Sequence, residues 1–67
     1  MSVRITVNGE EWRVEAKTIA ALVVELELDP RKVAVEHNLA IVPRSLHGAT
    51  PLSDGDRLEI VQFVGGG

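Results

Sequence analysis

Three glycines, Gly65, Gly66 and Gly67, close this 67-residue sequence. No other stretch in it offers chemistry of comparable specificity. Glycine has no side chain and reaches backbone angles closed to other residues. Three in a row span about 10 Å when extended. Such a segment can thread a channel that would stop any side chain. At its tip stands the α-carboxylate of Gly67, a poor electrophile. It becomes reactive once it has displaced pyrophosphate from ATP to form an acyl-adenylate. The sequence shows no phosphate-binding loop, since Gly9 stands alone and no helix follows the terminal glycines. ATP, magnesium and the groups that stabilise the transferring phosphoryl centre must then come from a partner enzyme. An amine could capture the activated acyl group, making the protein a modifier. A sulfur donor could capture it instead, leaving a terminal thiocarboxylate. A passive tail on a binding module is the remaining alternative.

The other reactive residue types point nowhere in particular. There is no cysteine, so no thiol nucleophile, zinc–thiolate site or disulfide is available. The absence also means that no internal thiol can attack the activated end. Ser2, Ser45 and Ser53 have no neighbouring base that would activate them. His37 and His47 lie ten residues apart, outside close metal-ligand spacing, and are expected in surface or turn roles. Asp54 and Asp56 flank Gly55. A calcium loop needs several more oxygens than this pair supplies, so a turn-capping role is expected. No metal site is predicted.

The elements that must hold such a tail fit within one small domain. A chain this short removes only about 60% of its unfolded surface from water. That excludes a dinucleotide-binding fold or a cleft between domains. Seven basic and ten acidic residues leave a net charge of −3, which argues against nucleic acid or an anionic membrane as partner. The composition is 45% hydrophobic, which places the chain among globular proteins. No apolar run approaches the ~20 residues of a membrane span. The opening residues pass directly into alternating sequence, without the pattern of a secretory leader. A cytoplasmic location is expected.

Val3 to Val7 alternates apolar and polar residues and predicts a half-buried strand with Val3, Ile5 and Val7 inward. Asn8-Gly9 is a hairpin signal. The return strand, Glu10 to Glu15, places Trp12 and Val14 inward. Thr18 suits a helix N-cap. Ile19, Leu22, Val23 and Leu26 then share one helical face, and the helix is expected to stop near Leu28-Asp29 because of Pro30. Val33 to His37 and Ile41-Val42 read as strands separated by a turn, the second at an edge because Pro43 ends it. Residues 44–50 are irregular, with room for one helical turn. A turn-rich stretch, Pro51 to Asp56, precedes a last strand from Arg57 to about Phe63.

The order β-β-α-β-β-β predicts an α+β β-grasp, a mixed sheet packed on one helix. A helix between the second and third strands lets the chain return parallel. The last strand should lie centrally, beside the first. Residues 1–64 are expected to form the domain and 65–67 a flexible tail. On the last strand Leu58 and Ile60 share the inward parity, and Glu59, Val61 and Phe63 the outward one. Val61 and Phe63 then offer an apolar docking surface beside the tail, unless the strand bulges and Phe63 turns into the core.

Val33 to Arg44 (VAVEHNLAIVPR), the Asp54-Gly55-Asp56 turn, Glu59 to Val64 (EIVQFV) and the terminal glycines together resemble the ThiS family. These are small sulfur carriers of thiamine biosynthesis, and the resemblance extends over nearly the whole chain. It implies a ubiquitin-like fold and a protein that is a co-substrate rather than an enzyme. It implies that a ubiquitin-activating-like adenylyltransferase activates Gly67 with ATP and magnesium, while this chain binds no cofactor itself. Sulfur derived from cysteine through a desulfurase would give the thiocarboxylate, which thiazole synthase would consume. By the same analogy Gly65 and Gly66 are the threading tail, and Val61, Phe63 and Val64 meet the partners. Many relatives end in two glycines; the third here bears on tail length. A molybdopterin-synthase small subunit or another ubiquitin-like carrier or modifier shares the tail chemistry and is the alternative.

Overall fold

β-Branched residues alternating with polar ones form β1 (Val3–Val7) and β2 (Glu10–Val14). They pair antiparallel, with Ile5 opposite Trp12. The turn between them holds Asn8 at φ 51° and Gly9 at φ 84°. Two consecutive positive φ values match the turn to the right-handed twist of the strands. This computed structural model describes residues 1–64; the expectation of a flexible tail at 65–67 lies outside the described residues.

The helix α1 (Ile19–Glu25) starts where Thr18 caps it, its hydroxyl accepting from the Ala21 amide at 3.2 Å. It ends earlier than the proline suggested. Glu27 adopts φ 61°. The Leu28 amide donates to the Val23 carbonyl, and the Glu27 amide to the Val24 carbonyl. These two bonds satisfy the last carbonyls with a left-handed residue in the place where glycine is usual. Pro30 opens a separate 3-10 turn, Pro30–Lys32, capped by the Asp29 carboxylate. The chain continues through β3 (Val33–His37), β4 (Ala40–Val42), a 3-10 helix at Arg44–Ala49, and β5 (Arg57–Gln62).

The strand order is β2-β1-β5-β3-β4. β5 lies centrally, parallel to β1 and antiparallel to β3. β2 and β3 are parallel in direction but separated by β1 and β5, so the helical crossover spans the sheet instead of joining neighbours. One sheet face packs on α1. Ile5, Val14, Ile19, Leu22, Val23, Val35 and Leu58 are almost wholly shielded from water. Trp12 keeps the inward parity expected of it yet remains 42% exposed. It sits on an edge strand and lines an open groove with Val7, Leu26 and Leu28, near the end of the short helix. Among the described residues no helix is long and apolar enough to cross a membrane.

Candidate functional site

The root of the glycine tail is built by β5, and two asparagines hold that strand. Beyond Val7, β1 has no further residues to pair with β5. The Asn8 side chain takes over: its Oδ1 accepts from the Ile60 amide at 2.8 Å, and its Nδ2 donates to the Ile60 carbonyl at 2.9 Å. A primary amide presents one donor and one acceptor in the spacing of a peptide group, so it extends the ladder. At the start of β5, Asn38 Oδ1 accepts from the Arg57 amide at 2.8 Å, and the Asn38 amide donates to the Arg57 carbonyl. Both asparagines are hairpin-turn residues with φ 51°. Past the end of β5, the Phe63 amide donates to the Lys32 carbonyl at 2.7 Å. Sequence reasoning gave the asparagines only turn roles. The signal for their second role is that both turns follow strands that pair with β5.

Leu58 and Ile60 face the helix and are buried. Val61 is 58% exposed and Phe63 55% exposed, so Phe63 does not turn into the core. Val64, the last described residue, is 95% exposed. Val61 pairs with Ala34 on β3, and Ile41 of β4 lies next along the same face. Ala34, Ile41 and Val61 line a shallow apolar depression of about 150 Å³. Sequence reasoning did not single out Ile41. Its signal was the outward parity of a three-residue edge strand, too short to show alternation. Gly65, Gly66 and Gly67 lie outside the described residues.

The acidic turn holds the fold together. Asp54 Oδ1 accepts from the Arg4 amide at 2.9 Å. Asp56 Oδ2 accepts from the Ser53 amide and meets His37 Nε2 at 2.8 Å, and Asp56 Oδ1 accepts from Asn38 Nδ2. Burial pushes the Asp56 carboxyl up, but hydrogen bonds from His37, the Ser53 amide and Asn38 outweigh it, and its pKa falls below the ordinary 3.8. His47 departs from a surface role: it is buried and its Nε2 donates to the Val42 carbonyl at 3.1 Å. His37 is half-buried in its pair with Asp56. No cluster of three or more metal-ligating side chains occurs among the described residues.

A folded-state pKa below the unfolded value makes Asp56 stabilising above the unfolded pKa. That contribution is lost as pH falls through the folded pKa. The expected result is a stability, measured by urea unfolding, that falls as pH drops below about 4. In Asp56→Ala that part of the acid dependence disappears. The same variant is expected to lose about 1–3 kcal/mol at pH 7, because the hydrogen bonds that a charged carboxylate accepts from His37, Asn38 and the Ser53 amide are lost.

A five-stranded mixed sheet on one helix, with its last strand at the centre, defines a ubiquitin-like β-grasp protein. A solution structure of a protein computationally designed on human erythrocytic ubiquitin shares the fold, with a TM-score of 0.56 at 17% identity over 98% of this chain and 95% of that one. The ThiS family profile matches residues 3–67, and the chain belongs to the ThiS family. The crystal structure of thiamine biosynthesis protein ThiS from Geobacter metallireducens superposes with a TM-score of 0.81 at 32% identity, over 97% of this chain and all of that one. The sulfur carrier protein ThiS of Bacillus subtilis is 35% identical over 65 residues, covering 94% of this chain and 98% of that protein. A thiazole synthase of Paramagnetospirillum magneticum is 52% identical over 65 residues, covering 96% of this chain. This chain spans only 20% of the length of that synthase.

Proposed function

We propose that this chain is a sulfur carrier for thiazole formation in thiamine biosynthesis, a co-substrate rather than an enzyme. The carboxylate of Gly67, the last residue of the sequence, attacks the α-phosphorus of ATP on a partner adenylyltransferase. Pyrophosphate leaves and an acyl-adenylate forms. A hydrosulfide equivalent, derived from cysteine through a desulfurase, attacks the acyl carbon and expels AMP. The resulting thiocarboxylate delivers its sulfur to thiazole synthase in the cytoplasm. ATP and magnesium belong to the adenylyltransferase, and this chain supplies only the acyl end.

The match of the ThiS family over residues 3–67, a span that includes all three glycines, carries the proposal. The similarity to part of a thiazole synthase supports that enzyme as acceptor. In this reading Gly65 and Gly66 thread the partner's channel, and Val61, Phe63 and Val64 rest against its entrance. Their exposure at the end of a central strand suits that role.

Intact-mass spectrometry tests the proposal. The purified chain is first shown to end at Gly67. It is then incubated with adenylyltransferase, magnesium, ATP and sulfide. The expected product is heavier by the difference between one sulfur and one oxygen, and peptide mapping places the change at Gly67. An unchanged mass with an adenylyltransferase that modifies an authentic ThiS protein would refute it.

A further inference from the structure

Asn8, which grips the end of β5, is followed by Gly9, and that pair occurs once in the sequence. The carboxamide carbon of an asparagine is one ring closure away from the next backbone nitrogen. Once deprotonated, that nitrogen can attack Cγ and close a five-membered succinimide. A side chain on the following residue hinders the attack, and glycine has none. Asn38 supplies the contrast within the same sheet. It holds the same place in the second hairpin, with the same φ of 51°, and its Oδ1 likewise accepts from a β5 amide. Leu39 follows it. The two turns share their geometry and differ in whether the next residue leaves its nitrogen open to the side chain.

The folded state opposes ring closure at Asn8. Both polar atoms of its carboxamide are engaged by Ile60, at 2.8 and 2.9 Å. Its backbone is left-handed, as a two-residue hairpin turn requires. Closure swings the side chain over the peptide that follows it. Both bonds to Ile60 must break first, and the turn must open.

We propose that Asn8 is a self-modification site, held in check by its bonds to Ile60, and that its conversion releases the end of β5. When the hairpin opens, the Gly9 nitrogen attacks Asn8 Cγ, the bond to Nδ2 breaks and ammonia leaves. Water then adds to one of the two ring carbonyls, and that carbon's bond to the ring nitrogen breaks. Attack at the side-chain carbonyl gives aspartate. Attack at the main-chain carbonyl gives isoaspartate, whose backbone runs through an extra methylene. Neither product restores the grip. An ionised aspartate has no donor for the Ile60 carbonyl and sets oxygen against oxygen. Isoaspartate lengthens a turn whose two residues match the twist of the strands. The reaction consumes only water and gives up ammonia, so each conversion permanently loosens the strand that leads into the glycines.

Peptide mapping of the purified chain tests the assignment, after incubation in mildly alkaline buffer with or without enough urea to unfold it. In urea the peptide containing Asn8 is expected to gain the mass difference between a hydroxyl and an amino group, while the peptide containing Asn38 stays unchanged over the same period. Without urea, conversion at Asn8 is expected to be slower by about tenfold or more, because only the open fraction reacts. Gly9→Ala is expected to slow the conversion in urea. The consequence is read separately in Asn8→Asp, by amide hydrogen exchange. Exchange at Ile60 is expected to quicken by about tenfold or more, with Leu22, whose amide donates to the Thr18 carbonyl, changing less. No conversion at Asn8 in urea, equal conversion at Asn38, or equal rates with and without urea would overturn the proposal. An Asn8→Asp chain whose Ile60 amide stays as protected as before would overturn it too.

Discussion

Removing Gly66 and Gly67 is expected to abolish thiocarboxylate formation and to leave the folded body unchanged. Truncation leaves a carboxylate at Gly65, but that acyl end stops two residues, about 7 Å, short of the partner's reaction centre. Among the described residues the buried core runs from Ile5 to Ile60, and Val64 is almost fully exposed. Truncation of an exposed terminus changes stability little when no burial is lost. Mass spectrometry after incubation with adenylyltransferase, ATP, magnesium and sulfide should show no sulfur gain, and the urea midpoint should match that of the intact chain. Gly66→Val is expected to give the same loss with the tail at full length. A branched side chain would block a channel sized for glycine, whereas the free carboxylate would be untouched. If Gly66→Val gains sulfur at the normal rate, the threading role is wrong even though the carrier role survives.

Leu58→Ala is expected to cost about 2–5 kcal/mol, the range for truncating a large buried aliphatic residue. A 67-residue domain has only about 3–10 kcal/mol in total at ~0.05–0.15 kcal/mol per residue. Leu58 is fully buried on the central strand, opposite Val7 on one side and His37 on the other. It shares one buried cluster with Ile19, Leu22 and Val23 of the helix, in the middle of the sheet, where little can collapse into the space it leaves. The thermal midpoint should fall by roughly 8–40 °C, using about 4–8 °C per kcal/mol for a domain of this size. Val61→Ala, three residues along the strand on the open face, is expected to change stability by less than about 0.5 kcal/mol. Sulfur loading of Leu58→Ala should persist at low temperature and fail near its own midpoint. That pattern would show that the loss comes from unfolding and leaves the chemistry of the tail intact.

Much of the fold was legible because two short-range signals agreed. The period-two alternation of Val3–Val7 and the Asn8-Gly9 turn both required a hairpin, and both are present. Thr18 before Ile19, Leu22 and Val23 required a capped amphipathic helix. Less legible was the helix end. Pro30 is a visible stop signal, but the stop actually used is Glu27 in a left-handed conformation, an identity that carries no such signal. Trp12 also misled in one respect. Parity told which face it joins, but burial depends on what lies over that face, and an edge strand beside a seven-residue helix leaves it half open. The outward facing of Val61 was legible from parity alone. The hollow that it forms with Ala34 and Ile41 was not, because β5 meets the β3–β4 hairpin there from a separate part of the chain.

Local sequence alone determined the identity of the main elements, the inward sets on β1, β2 and β5, and the chemical character of the terminal glycines. These depend on steric preferences and side-chain periods that operate over a few residues. Only the tertiary structure decided that Asn8 and Asn38 grip the central strand, that Asp56 is shared by His37 and Asn38, and that Glu36 faces Glu59. Each of those partnerships joins residues whose proximity is set by strand order and register. A hydrogen bond or a charge repulsion across 52 or 23 positions has no local trace, because it exists only once the packing of β5 between β1 and β3 has brought the two groups together.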